Sequence, residues 1–208
     1  MNKYSIISFD VEGTLVTTDF SAAIWFEGIP EGYAKKYGMS FEEGRKTVMA
    51  EYEKIGDQRI EWYDINYWTN KFDIGSSYEL LSRYRDRIGI YPDVIEILET
   101  LSKKYRLIIC SGTPREFLVH LLKDIEGYFS DIFSSTTDFK STKNKDFYTG
   151  ICRKMNSTPE QIVHVGDNYQ FDFQEPLQVG LQAYYLNRKE SETGENTIQN
   201  LLELNNLL

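Results

Sequence analysis

Five short apolar runs stand out along the chain, at residues 4–9, 106–110, 132–134, 161–165 and 182–186. Each is rich in β-branched or aromatic residues and ends at a breaker, the pattern of a buried strand. The later runs alternate with helical patterns. Residues 92–104 place Val94, Ile97, Leu98 and Leu101 on one face. Residues 114–126 follow Thr113-Pro114-Arg115-Glu116, which reads as a capping box with proline at the first helical position, and Gly127 closes the far end. Two more helices are expected at 145–155 and from about residue 195 to the end. Strands alternating with helices predict an α/β fold, a doubly wound parallel sheet covered on both faces. Ligands of such sheets sit beyond the carboxyl ends of the strands.

Residues 16–87 break the alternation. Ser40-Phe41-Glu42-Glu43 and Ser76-Ser77-Tyr78-Glu79 resemble capping boxes, and apolar residues between them recur at three-to-four spacing. The expected organisation is a core of residues 1–15 and 91–208 with a helical insertion at 16–90, after the first strand. Trp25, Trp62 and Trp68 all fall in the insertion, beside Tyr63 and Tyr67. They are read chiefly as its own core, with an apolar lid over a substrate as the alternative. Arg59 is read as a surface residue rather than a partner for a substrate carboxylate.

Composition narrows the function classes. A net charge of −9 without a long run of Lys or Arg argues against a nucleic-acid binder and a polybasic membrane anchor. It leaves room for a small phosphorylated metabolite, because a site can be locally positive on an acidic protein. No apolar run is long enough to span a bilayer, and that of residues 1–8 is too short for a signal peptide. Cys110 and Cys152 form no CxxC pair and read as buried thiols. The expected location is a reducing cytoplasm, and the expected assembly a monomer or homodimer.

Polar groups cluster at or after four strand ends. The first strand runs into Phe9-Asp10-Val11-Glu12-Gly13-Thr14-Leu15, and the second into Cys110-Ser111-Gly112-Thr113. Lys140, Lys143 and Lys145 follow the third. The fourth ends Val165-Gly166-Asp167, with Asp172 five residues on. With these elements in this order, the whole chain resembles the haloacid dehalogenase (HAD) superfamily, most of whose members are phosphatases. The family pattern is a strand then DxD-G-T, a strand then Ser or Thr, a Lys near a helix start, and a strand then GD with a further Asp. The insertion stands where the family carries a helical cap, which would close over the site and select the leaving group.

The resemblance implies an Mg²⁺-dependent phosphate monoester hydrolase. Asp10 would be both nucleophile and metal ligand, forming an aspartyl-phosphate. Asp167 and the Glu12 carbonyl would complete the protein's ligands, with Asp172 supporting the metal directly or through water. A divalent cation would remove the repulsion between carboxylate and phosphate. The Glu12 carboxyl would protonate the leaving oxygen and then activate water. Glu12 departs from the family's commoner Asp, as in enolase-phosphatases; the dehalogenase branch has no carboxyl there. Ser111 and Gly112 would bind the phosphoryl group beside a helix start. Lys143 would neutralise phosphate and Asp10, by its family spacing to Phe147-Tyr148 and Asp167, with Lys145 and then Lys140 as competitors. Thr14 is read as a turn hydroxyl, His164 as a core histidine, and His120 as carrying no role. The alternatives are metal-independent dehalogenation, a sugar-phosphate phosphomutase, and a catalytically silent binding protein.

Overall fold

The computed structural model describes residues 3–56, 59–189 and 194–208. Six parallel strands form one sheet: β1 (Ile6–Phe9), β2 (Arg106–Ser111), β3 (Asp131–Ser134), β4 (Ile162–Gly166), β5 (Gln182–Leu186) and β6 (Thr197–Ile198). Their spatial order is β3-β2-β1-β4-β5-β6. The chain therefore builds outward from β1 to one edge, returns, and builds to the other from β4. The switch point lies between β1 and β4, where open parallel sheets bind ligands. Phe9 is in register with both Ile109 and Val165. Asp10 thus lies one residue past that level, and Ser111 and Asp167 lie two past it.

Every residue of β1 and β4 is buried, as expected of strands covered on both faces. The Val94–Leu101 helix buries Val94, Ile97, Leu98 and Leu101, the stripe its spacing predicts. The Lys145–Met155 helix starts at Asn144, whose side chain accepts from the Asp146 and Phe147 N–H groups, and ends at Asn156 in the left-handed conformation. It packs Phe147, Tyr148, Ile151 and Met155 on Ile6, Ile108 and Ile162. Cys110 and Cys152 lie in the same cluster as free, buried thiols, and burial pushes Cys110 up to about 12.

Two helix expectations need correction. The end of the chain is not one helix from residue 195: Thr197–Ile198 adds to the sheet beside β5, and only Leu204–Leu207 is α-helical. A two-residue strand is too short to carry a periodic signal. The helix expected over 114–126 stops at Leu121. The Thr113 hydroxyl donates to Glu12 Oε2 at 2.8 Å, and Glu116 Oε1 accepts from Asn66 Nδ2 at 3.0 Å, so the capping-box side chains have other partners.

The chain divides into two compact units. One comprises Met1–Thr17, Ile90–Thr113 and Leu122–Leu208 and holds the sheet; the other comprises Thr18–Gly89 with Pro114–Leu121. Pro114–Leu121, assigned to the α/β part on sequence, joins the second unit through its side chains. Phe117 stacks on Trp25 with ring centroids 5.5 Å apart, and His120 Nδ1 accepts from Arg85 Nε at 2.7 Å. Burial, then the Arg85 charge, pushes His120 down, so its neutral ring serves as the acceptor.

The helical unit contains Asp19–Ala23 continuing into the π-helical Ile24–Gly28, then Ile29–Tyr37, Phe41–Ile55, Ile65–Phe72 and Ser77–Arg83. Ser40 and Glu43 form a complete capping box. Trp68 is fully buried, edge-on to Tyr52 at 4.6 Å and stacked on Phe72 at 5.6 Å. Trp25 and Trp62 are half-buried and, with Phe26 and Tyr52, line a recess of about 70 Å³. Tyr63 and Tyr67 are half-buried, and Arg59 is exposed and paired with Glu61. A β-carbon on Gly44 would sit 2.8 Å from Ala34 Cβ and 3.0 Å from the Pro30 carbonyl oxygen. Overpacking of this kind costs about 1–3 kcal/mol, against the roughly 1 kcal/mol by which alanine favours a helix. Gly44→Ala is therefore expected to lower the thermal midpoint. An unchanged or raised midpoint would mean that the two helices separate without loss.

Candidate active site

Asp10 follows β1 and is held by its backbone, with its N–H donating to the Val165 carbonyl at 2.9 Å. Its carboxylate is buried. Lys143 Nζ donates to Asp10 Oδ1 at 2.6 Å and also reaches Asp172 Oδ1. Lys143 directly precedes the helix cap Asn144, so the cap fixes where its side chain starts. Burial opposes the ammonium charge, but Asp10 and Asp172 outweigh it and raise Lys143 above its ordinary range. Burial raises Asp10, and Lys143 resists that push.

Asp172 is fully buried and meets three partners. Oδ1 takes Lys143 Nζ and faces His164 Nε2 at 3.0 Å, and Oδ2 accepts from the Asn168 N–H at 3.0 Å. Burial alone would raise this carboxyl; Lys143 and His164 overcome it and lower Asp172 to about 2. His164 sits in β4, and burial lowers it in turn. A neutral ring donates from Nε2 to Asp172 and accepts at Nδ1 from the Ser8 hydroxyl, 2.8 Å away. His164 is the core histidine read from the sequence, but its core position is directly behind Asp172.

Asp167 follows β4. The loop after Asp10 packs onto it: Gly13 has φ +78°, and a β-carbon there would collide with the Asp167 carboxylate. Thr14 Oγ1 donates to Asp167 Oδ1 at 3.4 Å, the long end of a hydrogen bond. Burial, then the charges of Asp10 and Asp172, push Asp167 up to about 7. Asp167 is exposed on one face, where water offsets part of the effect of burial. Carboxylate oxygens of Asp10, Asp167 and Asp172, one from each, all lie within 4.8 Å of one another.

The remaining sequence candidates separate clearly. Glu12 is half-buried, with Oε2 fixed by the Thr113 hydroxyl. Ser111 is buried; its Oγ accepts from the Thr113 N–H at 3.2 Å, leaving its own proton to donate. Gly112 lies beside Lys143, whose Cε would touch a β-carbon placed there. Lys140 and Lys145 are exposed, and the Lys145 N–H is engaged by Glu175 Oε2 at 2.8 Å. Sequence reading missed Ser8, Asn168 and Thr113 as supports. Only Asn168 left a signal, as a cap four residues before Asp172.

Residues 4–180 match the family of haloacid dehalogenase-like hydrolases. The chain belongs to this family. Among solved structures, a HAD phosphatase from Thermococcus onnurineus superposes with a TM-score of 0.84 at 26% identity, covering 98% of this chain and 97% of that one. The 2-haloacid dehalogenase of Pseudomonas syringae pv. Tomato DC3000 shares the fold at a TM-score of 0.72 and 18% identity, over 98% and 97% of the chains. The GMP/IMP nucleotidase YrfG of Escherichia coli (strain K12) is 24% identical over 117 residues, 55% of this chain and 52% of that protein. The match thus spans about half the length of this curated relative.

HAD-like hydrolases generally use Mg²⁺, and the donor set here suits it. The oxygens are hard ligands, and three carboxylates oppose a single ammonium. With all three carboxyls ionised two negative charges remain, which a divalent cation would balance. No helix among the described residues is long and apolar enough to cross a membrane.

Proposed function

We propose that this HAD-like hydrolase cleaves small-molecule phosphate monoesters with Mg²⁺, through an aspartyl-phosphate on Asp10. The observation that carries the reading is the buried Lys143 bridging Asp10 and Asp172 beside Asp167, at the switch point of the sheet. Asp10, Asp167 and the Glu12 carbonyl would hold the metal, which supplies charge neutralisation between carboxylate and phosphate. Asp172, with its oxygens already engaged, supports the cluster by holding Lys143.

The chain's own groups divide the work. Lys143 orients the Asp10 carboxylate toward phosphorus and offsets negative charge there. The Ser111 hydroxyl and Gly112 N–H bind phosphoryl oxygens. Asp10 attacks phosphorus, the ester P–O bond breaks, and Glu12 gives its proton to the leaving oxygen. Glu12 then takes a proton from water; the resulting oxygen attacks phosphorus, and the bond to Asp10 breaks to free phosphate. Thr113 keeps the Glu12 carboxyl in place for both transfers. The phosphatase and nucleotidase relatives support a phosphorylated small molecule as substrate.

The test is phosphate release from a panel of sugar, short-chain acid and nucleoside monophosphates, with Mg²⁺ and with EDTA. Release that EDTA abolishes and Mg²⁺ restores is expected. Halide release from 2-haloacids that survives EDTA, without phosphate release, would replace this reading with dehalogenation. Conversion of a sugar phosphate to its isomer without free phosphate would replace it with a mutase.

A further inference from the structure

Arg188, two residues beyond β5, belongs to none of the motifs, yet its side chain is built into the loop that carries the nucleophile. Nη2 donates to the Thr14 carbonyl at 2.7 Å and to Asp93 Oδ1 at 3.0 Å, and Nη1 donates to Asp93 Oδ2 at 3.1 Å. The guanidinium stacks on Tyr91 at 3.9 Å from the ring centroid. Asp93 is itself anchored, because Oδ2 also accepts from the Leu201 N–H at 2.7 Å. The Tyr91 N–H in turn donates to the Leu15 carbonyl at 3.1 Å. Arg188 therefore ties together the nucleophile loop, the segment returning from the insertion and the C-terminal segment.

The far side of that loop meets Asp167. Thr14 offers its carbonyl to Arg188 and its hydroxyl to Asp167. Gly13 presses its bare α-carbon against the Asp167 carboxylate. A shift of the Thr14 carbonyl moves both contacts together. Lysine cannot substitute, since a single ammonium lacks the planar fork that spans Asp93 and a carbonyl at once.

We infer that Arg188 is a positioning residue for Asp167, acting through Thr14 to hold that carboxylate in place for the cation. The inference rests on the proposed Mg²⁺-dependent function. Partners one step behind a metal ligand, as Thr14 would be, change metal affinity by about 10–100-fold when removed, and Arg188 stands one step further back.

The experiment is calorimetric Mg²⁺ titration of the full chain, for wild type, Arg188→Lys, Thr14→Val and the double variant, with circular dichroism to verify folding. Thr14→Val is expected to weaken Mg²⁺ binding about tenfold, and Arg188→Lys to weaken it measurably but by no more than that. The double variant is expected to be no weaker than Thr14→Val, because the two residues act in series. Additive losses, or a lowered thermal midpoint with wild-type Mg²⁺ affinity, would make Arg188 a structural clamp alone and overturn the inference. If Arg188→Lys fails to fold, Asp93→Asn replaces it. That variant keeps an acceptor for Leu201 and loosens only the guanidinium, and wild-type affinity in it overturns the inference equally. Wild type that binds no Mg²⁺ removes the proposed function as well, whereas tight binding unaltered in every variant removes only the role of Arg188.

Discussion

Asp10→Asn is expected to lower Mg²⁺-dependent phosphate release by at least about a thousandfold, the scale seen when a covalent nucleophile is removed, without lowering stability. The amide cannot form the acyl-phosphate, so the loss falls on the chemical step and not only on binding. The Asp10 carboxylate is buried beside two others and raises Asp167 by its charge. Lys143 compensates it, but Lys143 retains Asp172 when Asp10 becomes neutral. Asparagine keeps an oxygen for the Lys143 hydrogen bond and relieves like-charge crowding. The metal-free thermal midpoint is thus expected to stay level or rise, the pattern of a site held in place at the expense of stability. If Asp10 holds the cation as proposed, Mg²⁺ should raise the midpoint less in the variant than in wild type. Phosphate release within tenfold of wild type would exclude Asp10 as nucleophile. A midpoint lower by many degrees would mean that Asp10 is a structural anion.

Much of the candidate site was legible in the sequence because its residues stand at strand ends. Apolar runs such as 161–165 are visible as patterns, and the polar residue that stops each one is visible with them. Register then does the rest: once β1 and β4 are neighbours, Asp10 and Asp167 meet without any further signal. Supports that come from unrelated positions leave no such trace. His164 reads as one polar residue in an apolar strand whether it faces Asp172 or any other buried acceptor. Arg188 follows β5 as an ordinary surface pattern would. Thr113 fits a capping box equally well whether its hydroxyl bonds Glu116 or Glu12, and only the fold decides for Glu12. Pro114–Leu121 shows the same limit at larger scale. Its helical stripe is legible, but not that Phe117 and His120 use it to pack with Trp25 and Arg85.

Lys143→Met is the substitution expected to damage both stability and activity most. Lys143 is the countercharge for a buried carboxylate on each side, Asp10 and Asp172. Removing one partner of a buried ion pair costs about 3–5 kcal/mol, because the remaining charge stays desolvated. Here one ammonium serves two carboxylates, so the upper end of that range applies. For a protein of this size, the thermal midpoint is expected to fall by roughly 10–20 °C. Asp172, held near 2 by Lys143 and His164, would lose the larger of those influences and move upward. Adding Asp172→Asn to Lys143→Met removes one stranded charge and should recover part of the midpoint, since the two changes share a contact and are not additive. It should recover none of the phosphate release, because Asp10 still lacks the group that orients it. That divergence separates the two roles of Lys143. If Lys143→Met kept the wild-type midpoint, the Asp10–Lys143–Asp172 bridge would carry no net stabilisation. If the double variant regained activity together with stability, Lys143 would act only as a structural cation.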